Sequence, residues 1–310
     1  MKYFINSTAD YHQHDLNSLG WELTVCNSLE PVNSPCRKIL SSPYSYGRHL
    51  YNFLKAIIPF DEIHAVLEIG GGMGYLMSDF LNLNPRMKAK MIDISPYLLD
   101  KQKESLQSFD VTFERADVLA IPSVSLSCFD FAIMNENLGD LPTLVAGEKN
   151  EKDIDRIPEK LEYFNKKYNL PLGLNENEHI NIGAIETVEK LCLAGIKYIY
   201  LSEHSCEAAI PKEMKPYLSI QPSGIPEMIP LKGHKEFTIK FSYLQKIAEI
   251  LNYETRRGPF ADFLPLNFSD KVKTALRLKT PFNDEQEIIQ QFVYDLYKYE
   301  YLILIKGDKQ

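Results

Sequence analysis

Two periods organise the apolar positions of this chain. Short apolar runs, the mark of buried strands, predict strands at Ala65–Ile69, Lys88–Ile94, Val111–Arg115, Phe129–Met134 and Ile196–Leu201, with a late strand at Tyr301–Ile305. Helical spacing fills the intervals. Arg48–Ile58 carries Leu50, Phe53, Leu54 and Ile57 on one face, and Pro59 ends it. Further helices are expected from Tyr75 to Leu83, over Pro96–Phe109, over Ile182–Ala194 with Gly195 as C-cap, over Phe241–Asn252, and over Phe292–Tyr299. Ser242 and Gln245 have the spacing of a capping box. Strand and helix alternate through residues 65–134, the rhythm of a parallel sheet with covering helices.

Residues 145–180 interrupt that rhythm. Ile154, Ile157, Leu161, Phe164 and Tyr168 are spaced 3, 4, 3 and 4, so part of this polar stretch is an amphipathic helix with Pro158 near its start. Two readings stand open, a lid over the carboxyl edge of the sheet and a surface insertion without a role. The chain divides accordingly into an N-terminal segment and helix (1–60), a first half of the α/β domain (61–144), the insertion (145–180) and a second half (181–310).

Composition narrows the class. With 310 residues, 45% apolar and 25% charged, the chain has the make-up of a globular protein. No apolar run approaches the roughly 20 residues of a membrane helix, and no secretory signal is read at the N-terminus. Five cysteines, odd in number and without a C-x-x-C, argue against a disulfide framework or zinc site and for reduced, cytoplasmic thiols. A net charge of −8, with no run of Lys or Arg longer than two, argues against nucleic acid as a partner.

The strongest chemical signal is Glu68-x-Gly70-x-Gly72-x-Gly74, directly after a buried strand and before a helix. Glycines there let backbone approach a bound nucleoside closely and allow positive φ. The ligand then lies at the carboxyl edge of the sheet. The dinucleotide pattern fails, because Met77 stands where G-x-G-x-x-G needs its third glycine, and no G-K-[ST] marks a phosphate loop. Asp93 ends the second strand, where a carboxylate can accept both ribose hydroxyls while also capping the helix that starts at Pro96. Asp117 follows the third strand, where such folds place a carboxylate near the adenine amine. The three elements in register point to S-adenosylmethionine (SAM), and to an α/β fold of the Rossmann-like class I methyltransferase type. Such a fold has a mostly parallel seven-stranded sheet with helices on both faces, here with a helical insertion.

The fourth element follows the fourth strand. Asn135-Glu136-Asn137-Leu138-Gly139-Asp140-Leu141-Pro142 falls where the acceptor meets the methyl group. It is not the N-P-P-[YF] that holds a base amine, and Pro35-Cys36 lies on the wrong side of the glycine turn for a C5-cytosine nucleophile. Asn135 is expected on both the cofactor and the catalytic side. Glu136 suits a cationic or amide-like acceptor. Methyl transfer asks mainly for alignment and a path for one proton. The cofactor-binding set is therefore Glu68, Gly70, Gly72, Gly74, Asp93, Asp117 and Asn135.

These residues resemble the family of the mitochondrial complex I assembly methyltransferase and its bacterial relatives. Ser42-Pro43 is similar to that family's T-S-P-E-I-S segment, Ile94 to Gln102 to its S-P-x-L-x-x-x-Q stretch, and Asn135-Glu136 with Leu141-Pro142 to its N-E-x-x-D-A-L-P. Gly233–Phe241, Leu244, Ala248 and Gly258–Leu264 resemble its late strand-helix-strand region. The resemblance covers most of residues 40–305 and implies a class I fold and protein arginine methylation. Two departures lie on the acceptor side. The family's aspartate in N-E-x-x-D falls on Gly139, with Asp140 one place later, and Glu203-His204-Ser205 stands where the family has D-Y-G.

Glu203 ends the fifth strand and joins Asn135 and Glu136 as a candidate catalytic residue, with His204 beside it. His12 and His14 form an H-x-H with no further ligand nearby in sequence, so no metal site is expected. Tyr44 and Tyr46 are candidates for the acceptor pocket, against ordinary packing for a chain with 18 tyrosines. The expected function is methyl transfer from SAM to a nitrogen, an arginine of a protein partner. A small-molecule methyltransferase and a SAM-binding assembly factor without catalysis are the alternatives.

Overall fold

The computed structural model describes residues 3–17, 24–146, 157–173, 179–278 and 280–307. Seven strands form the central sheet: β1 (Ala65–Ile69), β2 (Lys88–Asp93), β3 (Val111–Arg115), β4 (Phe131–Asn135), β5 (Tyr198–His204), β6 (Tyr253–Pro259) and β7 (Tyr299–Lys306). Their order is β6-β7-β5-β4-β1-β2-β3. β1 to β5 are parallel, and β7 runs antiparallel to both β5 and β6. The chain leaves β1 toward β2 on one side and later returns to β4 on the other. Strand order thus reverses at β1/β4, and a crevice opens outside the carboxyl ends of these strands.

Burial on both faces explains the continuous apolar strands. Along β4, Phe131 and Ile133 enter one core with Phe80, Met77 and Tyr200. Ala132 and Met134 enter the other with Leu67, Ile185 and Leu201. Helices α1 (Tyr46–Leu54), α2 (Tyr75–Leu83), α3 (Pro96–Leu106), α4 (Ile157–Tyr168), α5 (Ile182–Ala194), α6 (Phe241–Ile250), α7 (Asp270–Arg277) and α8 (Asp284–Lys298) cover the sheet. Gly195 closes α5 at φ +79°, as its position in the sequence predicts.

Three features depart from the sequence reading. The capping box at α6 is absent: Lys240 is the N-cap, and both Ser242 N–H and Ser242 Oγ donate to Glu207, at 2.8 and 2.5 Å. A carboxylate from the loop after β5 has replaced the local cap. Asp93 is not the cap of α3 either. Ser95 takes that place, accepting Leu98 N–H, while Asp93 accepts Ser95 N–H at 2.9 Å. The third concerns the insertion. Ile157, Leu161, Phe164 and Tyr168 are buried as their spacing predicts, but α4 packs on the helical layer, with Tyr163, Lys167 and Tyr168 converging on Glu189 of α5. None of its described residues lines the crevice. Ile154 and the rest of 147–156 and 174–178 lie outside the described residues.

The crevice is covered from elsewhere. Tyr3–Asn6 pairs antiparallel with Thr143–Ala146, which lays the N-terminal segment across the loop after β4. A small hairpin, Met228–Pro230 with Lys235–Phe237, approaches from the far side of β5.

Candidate cofactor and acceptor site

The floor of the crevice is the turn between β1 and α2. Gly72 has φ +53°, and a Cβ there would meet nothing within 4 Å, so the turn leaves open space. Gly70 also lines the crevice, against the Asn137 side chain. Gly74 instead starts α2 and packs on Gln102 and Leu106 of α3, away from the crevice. Glu68 sits beneath the turn. It is 2% exposed, Glu68 Oε2 has no hydrogen-bond partner, and its carboxyl is pushed up to about 8, first by burial and then by the charge of Asp93. Glu68 is thus a support for the turn and does not line the crevice.

Asp93 does line it. One oxygen accepts Ser95 N–H and the other accepts Gln102 Nε2–H at 2.9 Å. Burial raises Asp93 to about 6, against the lowering effect of those two hydrogen bonds. Gln102 Nε2 also lies 3.1 Å from Gly72 O, so a single amide ties the Asp93 carboxylate to the glycine turn. Asp117 lines the same crevice, held by Leu119 N–H at 2.8 Å. Open space at Gly72, two anchored carboxylates along one wall and an orphaned buried acid under the turn fit a nucleoside cofactor with a diol and an amine.

After β4 the chain turns sharply, with Glu136 at φ +54°. Asn135 points into the sheet, its Oδ1 accepting from Tyr46 at 2.5 Å and Ser202 at 2.9 Å, and its Nδ2 donating to Glu136 at 3.1 Å. Asn135 lies behind the crevice wall and is not among the residues that line it. Glu136 lines the crevice with both oxygens in use: Oε2 accepts Val25 N–H at 2.8 Å and Oε1 accepts Cys26 N–H at 3.1 Å. Burial pushes it up to about 7 despite these bonds. A helical turn of the N-terminal segment, Val25–Ser28, therefore occupies the carboxylate expected for the acceptor. Asn137 latches the loop to the glycine turn through Ile69 O and, at 3.4 Å, Gly70 O.

Glu203 is 3% exposed. It accepts Gly139 N–H at 3.1 Å and His204 N–H at 2.8 Å, and burial holds its carboxyl well above the usual range. His204 faces the crevice with its side chain 21% exposed, Nδ1 3.7 Å from Glu203 and Nε2 3.7 Å from Asp295 of α8, and its ring lies 3.7 Å from that of Tyr299. Tyr46 is fully buried, and Tyr44 lies outside the crevice under Arg48.

The whole cleft encloses about 1820 Å³, more than the roughly 300–1,000 Å³ of a site for one small ligand. It has room for cofactor and acceptor together. Gln102, Asn137 and Ser202 were not singled out as site residues from the sequence, since each acts by a contact across the fold. For Gln102 the signal lay in its place within the SP-x-L-x-x-x-Q stretch.

The segment from residue 66 to 146 matches the family model described as a methyltransferase domain. No curated protein matches the sequence. Among solved structures, an uncharacterized ACR protein from Burkholderia thailandensis is 13% identical, with 99% of this chain and 88% of that one aligned and a TM-score of 0.53. The plantazolicin methyltransferase BpumL, in complex with a pentazolic desmethylPZN analog and SAH, is 13% identical over 84% of this chain and 83% of its own, at a TM-score of 0.41. The sheet order, the glycine turn and the domain match together define a SAM-dependent methyltransferase with a class I fold. Among the described residues no helix is long and apolar enough to cross a membrane.

Proposed function

We propose that this enzyme methylates a nitrogen of a cationic acceptor, and that the acceptor is an arginine side chain of a protein partner. The observation that carries the reading is the charge of the cleft wall. Among the described residues that line it, ten are Asp or Glu and Lys298 alone is Lys or Arg. Such a wall attracts a cation and raises its local concentration.

The residues divide the work. Gly70, Gly72, Asp93 and Asp117 would hold SAM, which would supply the methyl group when bound. Glu136 offers two oxygens to two neighbouring N–H donors, the pattern a guanidinium presents, and here Val25 and Cys26 occupy it. An arginine acceptor reaches Glu136 by displacing that turn. His204, between Glu203 and Asp295, is placed to take the proton that the guanidinium loses. A small cationic molecule is the second reading, favoured by the N-terminal segment that covers the cleft.

The test is a single-turnover reaction with radiolabelled SAM and cell lysate. Label in protein, recovered as methylarginine after hydrolysis, supports the proposal. Label in the small-molecule fraction replaces it with the second reading, and no transfer by protein that binds SAM makes the chain an assembly factor.

A further inference from the structure

We propose that His12, Asp140 and His234 form a binding site for a divalent transition-metal ion at the mouth of the cleft. The three come from separate parts of the chain: the N-terminal segment, the loop after β4 and the small hairpin. Each offers one ligand atom, and the three atoms lie within 4.8 Å of one another. His12 Nε2 is 2.9 Å from Asp140 Oδ1. That is a hydrogen-bond distance, and tetrahedral coordination with bonds of about 2.1 Å spaces adjacent ligands about 3.4 Å apart, so the pair need open by only about half an ångström to take an ion.

The state of His234 points to a ligand. Its Nε2 is 2.9 Å from Glu236 Oε1, while its Nδ1 is buried without a hydrogen-bond partner, on a side chain only 5% exposed. A histidine held by a carboxylate through one ring nitrogen, with the other nitrogen unused, has the arrangement of a metal ligand and its supporting acid. Tyr11 stacks on the ring at 4.3 Å and 20°, fixing its plane. Thr8 Oγ1 donates to Asp140 O at 3.0 Å, fixing the second ligand. Two imidazoles and one carboxylate select zinc, iron, cobalt or nickel over the hard cations magnesium and calcium. His14, the other half of the H-x-H, is exposed and outside the cluster.

A cation at this place clamps the N-terminal segment, the loop after β4 and the hairpin together over the cleft. Three protein ligands leave a coordination position for water or for an atom of the acceptor.

The experiment loads the full chain with Zn(II), removes the excess and measures bound metal, with Co(II) as the spectroscopic probe. The expected result is one ion per chain and visible Co(II) bands. His12→Ala and His234→Ala should each weaken binding at least tenfold and abolish the bands. Glu236→Gln, the gentler variant, should weaken it roughly 10–100-fold, and His14→Ala should leave it unchanged. SAM binding by calorimetry on the metal-free variants shows separately that they are folded. No uptake by the wild type, or equal uptake by wild type and the His12 and His234 variants, overturns the proposal.

Discussion

Gly139 donates its N–H to the carboxylate of Glu203 at 3.1 Å. A Cβ on Gly139 would come within 3.0 Å of Phe237 O and 3.4 Å of the Glu203 carboxylate. An aspartate at 139 would press on Phe237 O and set a second acid beside the buried Glu203 carboxylate.

Gly139→Asp alone should therefore destabilise the protein, by about 2–4 kcal/mol for overpacking and a second buried acid. Combined with Glu203→Asp, which shortens the opposing side chain, it should recover at least half of that loss. Urea denaturation of the single and double variants checks this, and strict additivity would show that the two positions act independently.

Gly72→Val places a branched side chain in the open space of the turn. SAM affinity should fall more than 100-fold in calorimetry, with the circular dichroism spectrum retained. A folded variant that binds SAM as the wild type does would move the cofactor away from this turn.

Asp93→Ala removes a charged acceptor from two hydroxyl donors. Hydrogen bonds to charged groups contribute roughly 1.5–3 kcal/mol each, so affinity for SAM should fall at least tenfold. Gln102→Leu, which loses only the tie between Asp93 and the glycine turn, should cost several-fold less than that. A change under twofold in Asp93→Ala would mean that the carboxylate serves only Ser95 and Gln102.

Glu68 gives a pH signature. Its folded value of about 8 lies above the ordinary 4.5, so the folded state binds the extra proton. Its contribution to stability is greatest below pH 4.5 and declines as pH rises from about 4.5 to 8, by up to about 1.4 kcal/mol per unit. Glu68→Gln cannot titrate. The difference in melting temperature, wild type minus variant, should fall between pH 5 and 8, and a flat difference would mean that Glu68 is already ionised in the fold.

Glu136→Gln keeps the shape of the side chain but turns an amide toward one of two N–H donors. SAM affinity should stay nearly unchanged, while turnover on the lysate substrate drops about 100-fold. Methylation at the wild-type rate would deprive the arginine reading of its main residue.

Much of this was legible in the sequence. The strand at Ala65–Ile69 falls where its apolar run places it, because a strand buried on both faces carries apolar residues on both, while Val111–Arg115, at the sheet edge, shows itself by Val111 and Phe113 alternating with exposed polar residues. β6, Tyr253–Pro259, was not legible: it is an edge strand whose Glu254 and Arg256 face solvent, so its pattern is polar. The glycine turn, Asp93 and Asp117 were readable as residue types at fixed spacing. The employment of Glu136 was not, since its partners are backbone N–H groups of a segment more than a hundred residues away, and backbone donors leave no mark on composition. His12 showed no ligands nearby because the fold brings them from 140 and 234.

The place of β7 in the sheet has a bearing on how the cleft holds its shape. β6 joins the sheet only through β7, so β7 cannot part from β5 without carrying β6 with it. Tyr299, the first residue of β7, is also the ring against His204. The acceptor wall therefore belongs to the same cooperative unit as the sheet edge, and in amide hydrogen exchange residues 253–259 and 299–306 should share one opening energy with β5. The cover over the cleft, a four-residue ribbon and a hairpin, is held by far fewer bonds and opens at lower cost. The N-terminal cover should therefore open before the wall that carries His204 does.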